Sequence, residues 1–296
     1  MTTAPISADY SAITTIGVPS SPCASTVELF NCAYVEDSAS AIDAFIENCK
    51  EINKLWTASA TISPEFGRLL LLGYVSAVES FFRTVLRSII NTDAKAKSDA
   101  HSYVVPFGAV LYHDKLTVAE ALLEGYSFAG EKDVRAAFAK FLDTPNLPES
   151  IKTMLVEYEK VCQLRHCCVH RFGKLGTQNG IVLGLELHSA ALEKPLSLDK
   201  KKLEDMASWL MSFAKVMNNY MFRTLLERSV SEKNPYKLAW SWSYAKDRPK
   251  FERLYKAPRR FVWKPTATIG GGRSAVWACG QVAERLVHMP MRPCSA

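Results

Sequence analysis

Two histidines, two arginines and three cysteines lie within one short stretch, EKVCQLRHCCVHRFGK, from Glu159 to Lys174. A histidine exchanges protons near neutral pH, because its unperturbed pKa is about 6.5. An arginine stays protonated and binds phosphate through a planar fork of N–H donors. Arg165, His166 and His170 therefore offer proton transfer beside a fixed phosphate contact.

The same stretch allows other interpretations. Cys162, His166 and His170 follow one another at intervals of four residues, a spacing that could place two zinc ligands on one helix face. The sequence contains no Cys-x-x-Cys pair, however, and no glutamate follows His166 to act as a base. Cys167 and Cys168 lie far from the helix N-terminus that would lower a thiol pKa, so we expect them to be small core residues. The plainest alternative is that both histidines are polar groups at the carbonyl-rich end of a helix. We expect neither a metal nor a cofactor.

Arg165 occupies an apolar position of the helix that carries it. The other residues on the same face of this helix are Ile151, Met154, Tyr158, Val161 and Cys168. A buried guanidinium keeps its charge and needs a partner. Glu79 fills one position of an earlier apolar row, so we expect an ion pair between Arg165 and Glu79. Arg83 stands four residues after Glu79, and a salt bridge between those two at the helix surface is the alternative.

Apolar residues at helical spacing predict the elements that position these side chains. Helices are expected at Ser38–Thr57, from Pro64 to about Asn91, at 117–124, at 131–142, from Pro148 to Gly173, and at Asp199–Arg228. The stretches NGIVLGLEL and KPLSL predict a small hairpin or an extended excursion. The expected fold class is an all-α bundle with one short extended insertion.

The charge distribution divides the chain into a nearly neutral body and a basic end. Residues 233–296 carry 13 Lys and Arg against 3 Asp and Glu, whereas residues 1–232 carry 23 against 27. The basic end predicts a polyanionic partner, most simply nucleic acid. We expect an irregular arm at residues 1–37, one helical domain at 38–228 and a basic, aromatic-rich extension at 229–296.

Within the extension, aromatic residues alternate with nine Lys and Arg between Asn234 and Pro265. Aromatic rings stack on unpaired bases and cations follow phosphates, so Arg259, Arg260 and Trp263 are candidate RNA contacts. The alternative is a small subdomain whose aromatic side chains form its own core.

The sequence also predicts where the protein works. The first residues lack the basic start and apolar run of a secretory signal. The eight cysteines also lack the spacing of a small disulfide-bonded domain. We therefore expect a cytoplasmic protein with reduced thiols. The most apolar stretch, Gly67–Ile90, contains three arginines and Glu79, which favours a buried helix over a membrane span.

The segment RHCCVH, Arg165 to His170, resembles the signature of the HEPN superfamily of helical-bundle ribonucleases, an arginine followed by a polar residue and then a histidine near the end of a long helix. The following RFGK is similar to the basic, glycine-containing exit common in that family. GYVSAVESFFRTVLRSI looks like the family's first core helix, and Glu79 and Arg83 match its Glu-x-x-x-Lys/Arg element. The resemblance covers about Ser38 to Arg228.

The resemblance implies a metal-independent endoribonuclease, in which His170 transfers protons and Arg165 contacts the phosphate. It also implies that His166 orients the phosphate or shares in proton transfer, and that Glu79 holds Arg165 in place. Arg171 and Lys174 are further candidate RNA contacts. A homodimer, a role in phage defence or in a toxin–antitoxin system, and a neutralising or regulatory protein partner follow from the same resemblance. The alternative is a HEPN-like module that binds RNA or protein without catalysis.

Overall fold

The computed structural model of the protein describes residues 25–36, 39–241 and 243–255. These residues belong to two compact units, one ending at Ser38 and the other beginning at Ala39. Among the described residues of the first unit, a 3-10 turn forms at Val27–Leu29. Arg259, Arg260 and Trp263, the candidate RNA contacts of the extension, lie outside the described residues.

The described part of the second unit is all-α, as the sequence predicts. Its helices are α1 (Ala41–Lys54), α2 (Pro64–Thr92), α3 (Ala94–Ala100), α4 (Phe107–Tyr112), α5 (Glu131–Phe141), α6 (Glu149–Arg171), α7 (Thr177–Leu183), α8 (Leu185–His188), α9 (Lys200–Val230) and α10 (Tyr244–Tyr255), with 3-10 turns at Val118–Leu122 and Ser189–Ala191. Three of the helices begin at side-chain caps: the oxygens of Ser40, Ser63 and Asp199 accept hydrogen bonds from backbone N–H groups three residues on. These caps fix the starts of α1, α2 and α9 close to where the sequence places them.

Helix α2 is the central element, packed against α1, α5, α6 and α9. Its Phe82 is completely buried, with ring centroids 5.4 to 6.4 Å from those of Phe81, Phe128, Phe138, Tyr158 and Phe213. Tyr158 of α6 stacks on Phe213 of α9 at 4.5 Å. This aromatic cluster fixes α6 against α2 and so determines which α6 side chains face Glu79.

The prediction of a hairpin or extended insertion after α6 is wrong. Residues 177–191 form α7, α8 and a 3-10 turn, and within the described range only isolated bridges join Lys174 to Pro195 and Leu175 to Leu192. Gly184, with φ +96°, separates α7 from α8. Short apolar runs such as IVLGL do not distinguish a strand from a helix, and here no neighbouring strand supplies hydrogen bonds for an extended chain.

Part of the C-terminal extension packs on the bundle. Helix α10 lies against α2, and the Tyr236 hydroxyl donates to Ser98 Oγ at 2.8 Å. The rings of Trp240 and Phe251 are 4.8 Å apart, and Trp240 Nε1 donates to Ser229 Oγ at 3.2 Å. These two aromatic side chains therefore pack within the protein, as the subdomain interpretation expects.

Helix α2 is the one helix in the described ranges whose length and apolar composition would let it cross a membrane. Half of its most apolar window is buried inside the protein. A core helix meets the same criteria, so length and composition assign α2 to neither environment.

Candidate functional site

The candidate site lies at the C-terminal end of α6, where the sequence stops the helix sharply. The N–H groups of Phe172 and Gly173 both turn back to the carbonyl of Cys167, and both residues have positive φ, 52° and 93°. A Cβ on Gly173 would lie 2.4 Å from Cδ of Arg68, so no other residue fits there without a shift. Glycine at this position thus ends α6 as the sequence predicts, just after a last turn in which the side chains of Val169, His170 and Arg171 are exposed.

Arg165 and Glu79 form the predicted ion pair. The Arg165 Nη2 and Glu79 Oε1 atoms are 3.6 Å apart, with side chains 27% and 20% exposed. Burial raises the pKa of Glu79 above its ordinary value, and the charges of Arg165 and Arg83 oppose that rise. The guanidinium is thus anchored on the α2 side while part of it still reaches solvent.

Arg83 does not pair directly with Glu79. Its guanidinium donates hydrogen bonds to the carbonyls of Leu123 and Tyr126, at 2.9 and 2.6 Å, and lies 3.6 Å from Glu120. The loop carbonyls have no intrahelical partners, and a fork of fixed donors satisfies two of them at once. Arg83 therefore secures the segment after α4, and it acts on Glu79 only through its charge.

His166 and His170 lie one turn apart, with ring centroids separated by 6.2 Å. His166 is half-buried and His170 is exposed. Burial and the neighbouring charge of Arg165 lower the pKa of His166, whereas the charge of Glu159 opposes that shift. The half-buried imidazole therefore favours its neutral, proton-accepting form, beside a second imidazole open to solvent.

The arginine and the histidines point in different directions. At about 100° per residue, Arg165 is separated from His166 by about 100° and from His170 by about 140° around α6. Arg165 turns toward α2, as its pairing with Glu79 requires. One copy of α6 therefore does not converge Arg165 and His170 on a single point.

The two other basic residues of the stretch differ from each other. Arg171 Nη2 donates to both carboxylate oxygens of Glu193, at 2.8 and 2.7 Å. Lys174 is exposed, and its backbone forms an isolated bridge with Pro195. Of these two candidate RNA contacts, Arg171 is engaged in an ion pair and Lys174 is open to solvent.

The cysteines of α6 face the interior. Cys162 and Cys167 are buried free thiols, and burial raises the pKa of Cys162 to about 12 and that of Cys168 to about 11. These thiols stay protonated near neutral pH, which makes them poor nucleophiles. Across the ranges that the structure describes, no group of three or more His, Cys, Asp or Glu side chains could hold a metal ion.

Two features of the site escaped the sequence analysis. Arg68, buried beneath the end of α6, donates to the Leu196 carbonyl at 3.0 Å and lies 5.4 Å from the centre of the Phe172 ring. Gln163 is also buried, and it hydrogen-bonds to Glu159 and Asn179. The spacing of Glu159, Gln163 and the two histidines could have revealed the second feature, because i, i+4, i+7 and i+11 is one helix face.

No protein family, no curated protein and no solved structure matches this chain. The class that fold and site define is an all-α bundle with an anchored arginine and two histidines at an exposed helix end. What this site does must follow from the chemistry of its own residues.

Proposed function

We propose that the protein is a metal-independent endoribonuclease built on a HEPN-like helical bundle. The observation that carries the proposal is the Arg165–Glu79 ion pair near the C-terminal end of α6. Arg165 lies one residue before His166 and five before His170. A permanent cation beside imidazoles suits phosphate-ester chemistry, because charge develops on the phosphate while protons move at neutral pH. The resemblance of RHCCVH to the HEPN signature supports the same conclusion.

The proposed reaction is an intramolecular transfer within RNA. A 2′-OH attacks the adjacent phosphorus as His166 accepts its proton, and the bond from phosphorus to the 5′-oxygen breaks as His170 donates a proton to that oxygen. The products are a 2′,3′-cyclic phosphate and a 5′-hydroxyl, so atoms and charges balance. Arg165 stabilises the additional negative charge of the phosphorane, and Glu79 holds Arg165 in place.

The division of labour between the histidines follows from their surroundings. The lowered pKa of the half-buried His166 favours the neutral base. His170 is exposed, and we assign it the proton donation to the leaving 5′-oxygen. This assignment extends the expectation that His170 transfers protons and His166 shares the task.

We further propose that two copies of α6 complete one catalytic groove. The angle of about 140° between Arg165 and His170 separates them on one helix, whereas a second copy supplies the missing group from the opposite side. Val169 and Phe172, at this end of α6, are 48% and 79% exposed apolar side chains suited to such a contact. Lys174 and the basic extension with Arg259, Arg260 and Trp263 would bind the RNA backbone and bases.

The proposed setting is the cytoplasm, in phage defence or in a toxin–antitoxin system. That setting includes a neutralising antitoxin or a regulatory protein, because an active ribonuclease must be restrained in its host. These proposals rest on the HEPN resemblance.

The test is cleavage of total RNA by purified protein in excess EDTA. Wild type should cut RNA, whereas Arg165→Ala and His170→Ala should each reduce cleavage by a factor of about 100 or more. Arg223→Ala and His101→Ala change an exposed arginine and an exposed histidine elsewhere, and they should cut like wild type. Equal cleavage by all five proteins would contradict the proposal.

The second candidate function is RNA binding without cleavage. It is favoured by the angle of about 140° between Arg165 and His170 around α6, because cleavage needs both groups at one phosphate whereas binding does not. Retardation of RNA on a native gel without cleavage would establish this alternative.

A further inference from the structure

A cavity of about 300 Å³ lies between α1, α2 and α9, and we call it the α1–α9 cavity. Its lining includes Asn53 and Trp56 of α1, Tyr74 of α2, and Ala207 and Met211 of α9. Small-molecule pockets typically have volumes of about 300 to 1,000 Å³, so this cavity is large enough for a small ligand. The residues around it differ from those of the candidate site at the end of α6.

Lys200 ties α1 to α9 beside this cavity. Its Nζ atom donates to the carbonyls of Thr57 and Ser59, at 2.9 and 2.8 Å. These carbonyls lie beyond the end of α1, and a lysine at the first position of α9 satisfies both of them. Thr57 itself lines the cavity, so the two helices that bound it are joined at its edge.

Hydrogen bonds orient a polar group in the lining. Trp56 Nε1 donates to the Tyr74 hydroxyl at 2.9 Å, and that hydroxyl donates to Asn53 Oδ1. An indole N–H can only donate, and burial raises the pKa of Tyr74 to about 12, so the neutral hydroxyl can donate onward. The Asn53 amide therefore has its oxygen toward Tyr74 and its NH₂ group on the other side. Within the part of the chain that the structure describes, no hydrogen bond engages this NH₂ group, and Asn53 is half-buried.

Glu204 is the one charged side chain among the described residues that line the cavity. It is exposed, and across the described ranges no hydrogen bond or ion pair engages its carboxylate. The hydrogen bond from Lys201 to Asp205, at 2.6 Å, raises the pKa of that lysine, and the charge of Glu204 contributes least. Lys200 is held by the two carbonyls after α1. Glu204 thus gives an otherwise uncharged cavity a negative end that can accept a cation.

The other side of the cavity is apolar and aromatic. Trp56 and Tyr74 are buried, and Ala207 and Met211 are half-buried. Glu204, Ala207 and Met211 follow one another at i, i+3 and i+7, so the carboxylate and the apolar side chains lie on one face of α9. Flat or branched apolar groups pack well against aromatic rings and methionine.

We propose that the α1–α9 cavity binds a small amine, in which a protonated amino group is attached to an aromatic or branched apolar body. Glu204 pairs with the amino group, and the apolar body lies against Trp56 and Met211. The Asn53 NH₂ group donates to a hydroxyl or carbonyl oxygen of the ligand. An acid of the same size is repelled by Glu204 and meets no cation in the lining. Binding at this cavity does not depend on the ribonuclease function proposed above, because the two sites share no residue.

The experiment compares three compounds that share a phenol ring and differ in one end group. Tyramine has an ammonium group, 4-hydroxyphenylethanol a hydroxyl and 4-hydroxyphenylacetate a carboxylate. Isothermal titration calorimetry with the full chain, without RNA, should give tyramine a Kd at least about ten times lower than that of 4-hydroxyphenylacetate. The alcohol should have an intermediate Kd. Equal affinities for the three compounds, or no binding of tyramine at about 10 mM, would overturn the inference.

Glu204→Gln tests the source of the preference for an amine. It removes the charge from an exposed side chain, and it should weaken tyramine binding about tenfold and bring its Kd close to that of the alcohol. Glu227→Gln is the matched control, since Glu227 is an exposed carboxylate of α9 that pairs with Arg223 at 2.7 Å, and it should keep the wild-type preference. A preference for tyramine that survives in Glu204→Gln contradicts the assignment of this carboxylate and overturns the inference.

Two further variants test whether the ligand lies in the cavity. Ala207→Leu and Ser208→Leu each place a larger side chain in the lining and should weaken tyramine binding at least about tenfold. Ser208 is exposed, so the second variant should keep the fold, which circular dichroism verifies. Wild-type affinity for tyramine in both folded variants would place the ligand elsewhere and overturn the inference.

Discussion

Burial shifts the two titrating neighbours of Arg165 toward their neutral forms. It raises the pKa of Glu79 and lowers that of His166, while the guanidinium keeps its charge. Arg165 lowers both pKa values, because a cation stabilises a nearby carboxylate and destabilises a nearby imidazolium. The permanent charge of Arg165 thus favours the ionised carboxylate of Glu79 and the neutral imidazole of His166.

The lowered pKa of His166 predicts the acid side of the pH–rate profile. A general base works only when it is unprotonated, so on the acid side of the profile activity should rise with pH through the pKa of His166. We expect the midpoint of this rise in kcat/KM below the ordinary histidine value of 6.5. A midpoint above 6.5, or an unchanged profile in His166→Asn, would argue against His166 as the base.

Removing the arginine predicts a pH-dependent loss of stability. In Arg165→Met the partly buried Glu79 carboxylate lacks its cation, so its pKa in the folded state rises further above the ordinary 4.5. A raised folded pKa means that stability falls as pH rises from the unfolded pKa through the folded one. The variant should therefore lose about 1 to 2 kcal/mol relative to wild type at pH 7, and less near pH 4.5, in urea unfolding.

The control is the double variant Arg165→Met with Glu79→Gln, which carries no titrating carboxylate at this position. Its difference from wild type should vary less with pH than that of the single variant. A loss that is equal at both pH values in Arg165→Met would mean that Glu79 does not respond to Arg165.

At the scale of elements, the end of α6 is held by contacts from distant parts of the chain. Arg68 of α2 binds the Leu196 carbonyl, and the Leu196 N–H donates to the Gly173 carbonyl at 2.8 Å. The Arg68 side chain passes directly over Gly173, where a Cβ would lie 2.4 Å away. The last turn of α6, which carries His170, therefore depends on a glycine that no side chain can replace without displacing Arg68.

Gly173→Ala should destabilise the protein by at least about 1 kcal/mol, because alanine at φ +93° is strained and its Cβ meets Arg68. Thermal unfolding followed by circular dichroism measures the change. Gly108→Ala is the matched control: nothing lies within 4 Å of its Cβ and it sits in α4, so stability should be unchanged or slightly increased. Equal stability of Gly173→Ala and wild type would show that the cap tolerates a side chain.

For the whole molecule, exposed apolar side chains next to the candidate site and the excess of positive charge lie in different parts of the sequence. Val169 and Phe172 are exposed beside the histidines, whereas the excess of Lys and Arg lies after residue 232. An apolar patch next to the site suits contact with protein, and a basic region suits contact with phosphate. Both properties are needed by a dimeric enzyme that acts on RNA.

A charged residue in the apolar patch should break the proposed dimer. Val169→Asp buries a carboxylate in the contact, so light scattering coupled to size exclusion should give the mass of a monomer where wild type gives twice that mass. Val156→Asp is the matched control, since Val156 is a similarly exposed valine on the first half of α6. A monomeric wild type at micromolar concentration would refute the composite groove.

Much of this arrangement is readable in the sequence. The helices that the chain forms at 64–92, 149–171 and 200–230 follow from apolar spacing, capping residues and Gly173, all of which are local signals. The Arg165–Glu79 pair could also be predicted, because two charges of opposite sign occupy apolar positions on two helices and each must find a partner. By itself, the sequence therefore determined the all-α class, the long helices and the central ion pair.

Only the tertiary structure decided the rest, because it depends on groups far apart in the chain. Arg83 binds loop carbonyls some forty residues away rather than the carboxylate one turn before it. Residues 177–191 became helical because the fold offers them no strand to pair with. The orientation of Asn179 is set by Glu159 through Gln163, and no local pattern encodes it, since hydrogen-bond polarity appears only when the three side chains meet.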